Sequence, residues 1–373
     1  MKKVLHVIDS LDLGGAQTLL LDICKHTDHS RFDVQVACMH GRGVFADEFE
    51  KAGINVHSLS PSKWPPRYIP NFIGLLGSLD PDIIHFHLFG SNFVAKPLAA
   101  LLGRAALIVH DHTNADSRLH SPLLLVADTL TNRFSTRVIA VAESVRELLI
   151  EREGLCDDRV ITLPNGVDAE MFLPSTLEQR EVARASLRLP EGAFVVGGVG
   201  RLAEVKNLKV FLKVAAKFLE RNPGAVFVIA GMGPLEGSLR ELADSLKIAG
   251  SVHFLGHLSD RVELYRALDV LLITSDAEGT PMTLLEAMSC GLPVISSAVG
   301  GIPEVAKNER EALLVPARDA QGFVSALERV LGEEGLTRKL GGNARSTILE
   351  RYEIRGLVRR IEALYETVLE EQQ

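Results

Sequence analysis

Cysteine is scarce and poorly placed for chemistry: Cys24, Cys38, Cys156 and Cys290 are scattered over 373 residues and form no C-x-x-C pair. That scatter excludes a cysteine zinc site and a disulfide framework, and reads as small core residues in a reducing compartment. An excess of positive charge is missing as well. The formal net charge is -8, which argues against a general binder of nucleic acid or anionic membrane and requires any phosphate pocket to be a focused one. Long apolar runs are also lacking. The run that follows Lys2 and Lys3 is interrupted at His6 and Asp9, too soon for a secretion signal and far short of a membrane span. A cytoplasmic protein with no nucleic-acid partner is expected, and the chain shows neither sequence repeats nor low-complexity tracts.

What is present is the balance of a folded chain, 46% hydrophobic and 24% charged with both signs mixed. At 373 residues the chain exceeds the size at which one core stops growing, so two domains are expected. Short β-branched runs alternate with helix-like segments throughout. They lie at 4–8, 34–38, 54–59, 83–86, 107–109, 138–141 and 160–163 in the first half, and at 194–199, 226–229, 252–255, 270–273, 294–296 and 313–315 in the second. This is the pattern of parallel sheets covered on both faces. Turn chemistry in Pro164-Asn165-Gly166-Val167-Asp168 separates the halves, giving an N-terminal domain over 1–168 and a C-terminal domain over 169–351. Ile354, Leu357, Val358, Ile361, Leu364, Tyr365 and Val368 form a helical stripe, so 352–373 is expected to be a helix that joins the N-terminal domain. The fold class is α/β, two doubly wound Rossmann-like domains facing an interdomain cleft, with ligands at the loops after the strands.

The most specific motif runs from Asp276 through Glu278, Gly279, Thr280 and Pro281 to Glu286 and Met288. Thr280 suits a helix cap and Pro281 the first turn, with Leu284, Leu285 and Met288 on the buried face and Gly291 at the end. Bare amides at such a helix start favour an anion. Glu278 in the loop and Glu286 in the helix would then flank one phosphate position, as acceptors for sugar and ribose hydroxyls; the bland alternative is a capped helix with solvated acids. A second element, Gly197-Gly198-Val199-Gly200-Arg201-Leu202 followed by Lys206, brings two cations to another helix start, where they could neutralise a diphosphate. Its glycines also fit a dinucleotide loop, but no acid is convincingly placed after the next strand. Gly14 and Gly15 open a helix after the first strand, either as a tight turn or as a further contact for phosphate or sugar.

His85 and His87 close one strand and His110 and His112 the next, each pair on one face. A four-histidine metal cluster is geometrically conceivable there, but with no cysteine nearby and no partner evident behind the rings they read as cleft-lining polar residues, and no metal or cofactor is expected. Trp64, Arg67 and Tyr68 lie in a proline-rich loop, where amphipathic rings beside a cation could touch a membrane surface or a lipid-linked acceptor. Ordinary packing is the alternative.

Taken together these residues resemble the retaining glycosyltransferases of family 4, which have the GT-B fold. The resemblance covers nearly the whole chain: Leu13-Gly14-Gly15-Ala16, Ile84-His85-Phe86-His87, Val138-Ile139-Ala140-Val141, Pro164 to Asp168, Gly200-Arg201-Leu202 with Lys206, Gly231-Met232-Gly233-Pro234-Leu235, and Glu278 through Gly291-Leu292-Pro293-Val294-Ile295. It implies a hexosyl transfer from a nucleotide diphosphate sugar, uridine favoured and guanosine possible, to a hydroxyl of a glycan, lipid-linked or small-molecule acceptor. By the same resemblance Arg201 and Lys206 hold the diphosphate beside Gly15 and Gly200, amides near Thr283 and Leu284 help cradle it, Glu286 binds the ribose, and Glu278 contacts the transferred sugar. A histidine after the fifth strand approaches that sugar; by position it is His112, with His110 second, where the family usually has a small polar residue. Met232 and Ala142 also replace a commoner acid and hydroxyl. A sugar-nucleotide epimerase of similar fold and a non-catalytic sugar-nucleotide binder are the competing readings.

Overall fold

The computed structural model describes residues 1–12, 14–60, 68–103, 105–112, 126, 129–258 and 260–372. The chain divides into two compact units, one made of Met1–Gly166 with Ile354–Gln373 and the other of Val167–Glu353. Unit 1 carries β1 (Lys2–Ile8), β2 (Phe32–Cys38), β3 (Asn55–Ser58), β4 (Ile83–His87), β5 (Ala106–Asp111), β6 (Arg137–Ala140) and β7 (Val160–Thr162). These lie in the order β3-β2-β1-β4-β5-β6-β7, and every pairing is parallel. Parallel neighbours cannot be joined by tight turns, so helices such as Gly15–His26 and Phe89–Leu102 make the crossovers. Alternation then sorts the side chains. Leu5, Val7, Ile84, Phe86, Leu107 and Val109 face one way and pack with Phe72 and Leu76 of helix Tyr68–Leu79. The other face is covered by helix Gly15–His26 and by helix Ile354–Glu370, whose stripe from Ile354 to Val368 is buried.

Unit 2 carries β8 (Val195–Val199), β9 (Val226–Ala230), β10 (Val252–Gly256), β11 (Val270–Ile273), β12 (Val294–Ser297) and β13 (Leu313–Val315). Their order is β10-β9-β8-β11-β12-β13, again parallel throughout. Val196, Phe227, Val270, Leu272 and Ile295 pack against Phe211 and Phe218 of helix Leu208–Leu219 and Phe323 and Leu327 of helix Ala320–Gly332. Burying each of these side chains contributes about 1.5–3 kcal/mol. In both sheets the order reverses direction beside the first strand, between β1 and β4 and between β8 and β11. That reversal is the switch point, and it is beyond the strands' carboxyl ends at such a point that open α/β sheets bind their ligands. Among the described residues no helix is long and apolar enough to cross a membrane.

Candidate functional site

The two motifs of unit 2 meet at its switch point. After β8 the chain passes Gly200 and Arg201 into a short turn, Glu204–Lys206, before helix Leu208–Leu219; after β11 it runs through Thr274 to Pro281 into helix Met282–Ser289. Backbone bonds tie the two loops: the Asp276 amide donates to the Val205 carbonyl at 2.8 Å, and Thr274 Oγ1 to the carbonyls of Lys206 and Asn207 at 3.2 Å. Asn207 Nδ2 donates to Asp276 Oδ1 at 2.9 Å. Asp276 also accepts two bonds from Arg318 at 2.9 Å, which hold its carboxyl below the usual carboxylate range. Against this frame Lys206 Nζ lies 2.6 Å from Glu278 Oε1, and Ser275 Oγ donates to the same oxygen at 2.5 Å. Arg201 is exposed, with no ionic or hydrogen-bonded partner for its guanidinium among the described residues. The site therefore offers one free cation, one cation paired to an acid, and a helix start.

That helix starts differently from the sequence expectation. Pro281, not Thr280, is the N-cap, with no side-chain cap; the extended Pro281 turns directly into the helix. The Leu284 amide donates to the Pro281 carbonyl at 3.1 Å, so Leu284 is not the free donor it was expected to be. Thr283, together with Met282, keeps an amide without a hydrogen-bond partner among the described residues. Gly291 ends the helix with φ +65.

Glu286 lies on the same helix and is only 1% exposed. Its two oxygens are taken by Arg261, through Nη1, and by the Tyr265 hydroxyl at 2.7 Å. Burial raises the carboxyl above its ordinary range while Arg261 and Tyr265 pull it back, and burial beside the acid keeps Tyr265 protonated. Neither Arg261 nor Tyr265 carried a sequence signal. Each reaches Glu286 from helix Arg261–Ala267, more than twenty residues earlier.

Gly231 and Gly233 brace the cation loop. Gly231 has φ +140, and a Cβ there would collide with the Gly200 carbonyl; one at Gly233 would strike the Leu202 carbonyl. This close approach lets the Gly200 amide bond Ala230 and the Leu202 amide bond Met232, both at 2.9 Å.

In unit 1 Gly15 is the first residue of its helix, after Gly14 as N-cap, and Gln17 Nε2 closes the turn onto the Ser10 carbonyl at 3.1 Å. His112 directly follows β5, and its Nε2 lies 3.1 Å from His87 Nδ1. His87 Nε2 in turn lies 2.9 Å from Nδ1 of His6, on β1, a histidine the sequence marked only as an interruption of an apolar run. Burial lowers the ring pKa of His6 to about 3 and of His112 to about 4, and pushes His85, His87 and His110 well below the ordinary value. Burial thus favours the neutral form of all five rings. Tyr68, for which membrane contact and ordinary packing were the two readings, begins a helix and is 4% exposed, packed edge-on to His40 at 5.4 Å. Leu13, Trp64 and Arg67 lie outside the described residues.

Two doubly wound units in this order define an α/β protein of the GT-B class. Residues 179–347 match the family of glycosyl transferases group 1 and residues 13–171 match Glycosyltransferase Family 4. The chain is 35% identical over 287 residues to the D-inositol 3-phosphate glycosyltransferase of Actinosynnema mirum, covering 70% of this chain and 67% of the relative. It is 28% identical over 375 residues to the UDP-Gal:alpha-D-GlcNAc-diphosphoundecaprenol alpha-1,3-galactosyltransferase of Escherichia coli, covering 97% of this chain and 96% of that one. The crystal structure of HepE from Anabaena in complex with UDP-glucose superposes with a TM-score of 0.89 at 21% identity, covering 98% of this chain and 100% of HepE. The chain belongs to the group 1 glycosyltransferases.

Proposed function

We propose that the protein transfers a hexosyl group from a nucleotide diphosphate sugar, with uridine as the favoured base and guanosine as the second choice, to a hydroxyl of a glycan, a lipid-linked sugar or a small molecule, with retention at the anomeric carbon. The observation that carries this reading is the contact of Lys206 with Glu278 at 2.6 Å. It joins motifs 72 residues apart at the switch point, with Arg201 unpaired beside them in sequence and a helix start following Glu278. The UDP-glucose bound to HepE and the UDP-Gal named for the Escherichia coli relative support the choice of donor.

In this reading Arg201, Lys206 and the amides of Met282 and Thr283 stabilise the diphosphate, with Gly200 and Gly15 giving it room. Lys206 exchanges Glu278 for the phosphate, which frees Glu278 to accept from hydroxyls of the transferred sugar. Glu286 accepts from the ribose while keeping its two donors, since a carboxylate offers about four lone-pair sites. His112 is the sugar-facing histidine of unit 1. The departing phosphate takes the acceptor's proton on the face where the new bond forms, so the protein supplies position and charge stabilisation instead of a nucleophile. The reaction is placed in the cytoplasm, and Trp64 and Arg67 are the residues to test for contact with a lipid-linked acceptor at the membrane's inner face.

Replacing Arg201 or Lys206 with alanine removes one preorganised stabiliser, which slows transfer by roughly 100-fold. Near-normal kcat and KM in both single variants would remove the diphosphate site from this position.

A further inference from the structure

Five imidazoles share one face of the unit 1 sheet. His6 on β1, His85 and His87 on β4 and His110 on β5 are fully buried, and His112 follows at the end of β5. Parallel register sets His6 beside His85 and His87 beside His110. Neighbouring ring centroids lie 4.2 to 5.5 Å apart. One proton between His6 and His87 and one between His87 and His112 account for four ring nitrogens, and Tyr365 Oη, 2.7 Å from His85 Nδ1, accounts for a fifth. The other five are His6 Nε2, His85 Nε2, both nitrogens of His110, and His112 Nδ1. They are buried with no hydrogen-bond partner among the described residues. Apolar residues at these positions would fill the same space without leaving polar atoms unpaired in a low-dielectric interior.

We propose that His6, His85 and His87 bind one divalent transition-metal ion of the zinc class. One ring nitrogen from each lies within 4.8 Å of the other two. Ligands of a tetrahedral zinc, at about 2.0–2.1 Å from the ion, stand roughly 3.4 Å from one another, so small ring rotations close the triad. Neutral imidazole is the ligand type that zinc, copper and nickel prefer over a hard cation such as magnesium. Tyr365 supplies the support behind a ligand. When His85 Nδ1–H donates to Tyr365 Oη, the tautomer is fixed with Nε2 bare and turned to the ion, the arrangement that orients metal-bound histidines generally. His87, His110 and His112 form a second triad of the same compactness, but among the described residues none of its rings is hydrogen-bonded to a group outside the cluster. The ion is structural: it ties β1 and β4 to the C-terminal helix through Tyr365, and the inference does not depend on how unit 2 handles its donor.

The test uses the full chain produced without a polyhistidine tag, stripped with chelator and titrated with Co2+ or Zn2+ alone. The expected result is one equivalent of Co2+ with the visible absorption of a tetrahedral nitrogen site, and a rise in Tm with one equivalent of Zn2+. His6→Gln and His85→Gln lose both signals while His110→Gln keeps them. Tyr365→Phe, which retains the ring packing, weakens affinity by roughly 10- to 100-fold and remains informative if a histidine variant does not fold. Absence of stoichiometric Co2+ or Zn2+ binding in the parent chain overturns the proposal. So does wild-type affinity in Tyr365→Phe, or loss of binding in His110→Gln with His6→Gln unaffected.

Discussion

Glu278 and Glu286 are held by different kinds of partner, and that difference separates their effects. Glu278 is paired to Lys206, 24% exposed on its side chain, and to Ser275, so its partner is free to leave for a phosphate. Glu286 is locked by Arg261 and Tyr265. If Glu286 meets the ribose, Glu286→Ala weakens nucleotide diphosphate and intact donor alike, because both carry that ribose. Glu278→Ala binds the nucleotide diphosphate almost normally and loses affinity for the intact donor alone. A hydrogen bond to a charged group contributes about 1.5–3 kcal/mol, which corresponds to a loss of roughly 10- to 150-fold. Calorimetry with both ligands on folded variants checks this; equal losses for both ligands in Glu278→Ala would reverse the roles. Tyr265→Phe leaves Glu286 with Arg261 as its one strong donor, so a similar but smaller loss, roughly tenfold, is expected for both ligands. The two acids were legible because their motif has a fixed spacing and a loop-to-helix context. Arg261 and Tyr265 were not, because nothing local marks a side chain that reaches across to another helix. His6 stayed hidden for a related reason: a polar residue inside a β-branched run looks like a break until register shows it facing His85.

At the level of elements, the brace formed by Gly231 and Gly233 fixes the loop that carries Arg201. Gly231→Ala places a methyl group against the Gly200 carbonyl at a φ of +140, so either β9 or the cation loop must shift. The expected outcome is a lower Tm together with weaker donor binding, whereas Gly224→Ala, with open space at its Cβ, changes neither. Thermal melts and a donor titration on the two variants distinguish loop displacement from general destabilisation; unaltered donor binding in a folded Gly231→Ala would show that the loop does not need the brace. The thirteen strands among the described residues could be read from apolar runs, since strands buried on both faces leave a continuous rather than alternating signature. The start of helix Met282–Ser289 could not be read as well. Thr280 and Pro281 both have start-compatible chemistry, and the choice between them rests on backbone angles set by the loop from Thr274 onward.

On the scale of the whole molecule, the C-terminal helix is part of unit 1 although the sequence of unit 2 lies between them. Helix Ile354–Glu370 buries Ile354, Leu357, Val358, Ile361, Leu364, Tyr365, Val368 and Leu369, and Glu362 bonds the Asp28 amide at 2.7 Å. At about 1.5–3 kcal/mol for each buried large side chain, the burial lost with this helix is of the same order as the ~5–15 kcal/mol by which a domain is stable. A chain ending at Glu353 should therefore lose the folded state of unit 1 and keep that of unit 2. Limited proteolysis should then leave a resistant fragment near 167–353, and equal resistance of both units would contradict the assignment of the helix. The same connectivity orders events at the ribosome. At roughly 5–20 residues per second, residues 1–166 emerge early yet wait, one face of their sheet uncovered, until the codons for helix Ile354–Glu370 have been read. Unit 2 needs nothing that comes after it. The half synthesised second is thus the first able to complete its fold, and a nascent chain stalled before helix Ile354–Glu370 would carry a finished unit 2 and an unfinished unit 1 whose histidine face is still open to solvent.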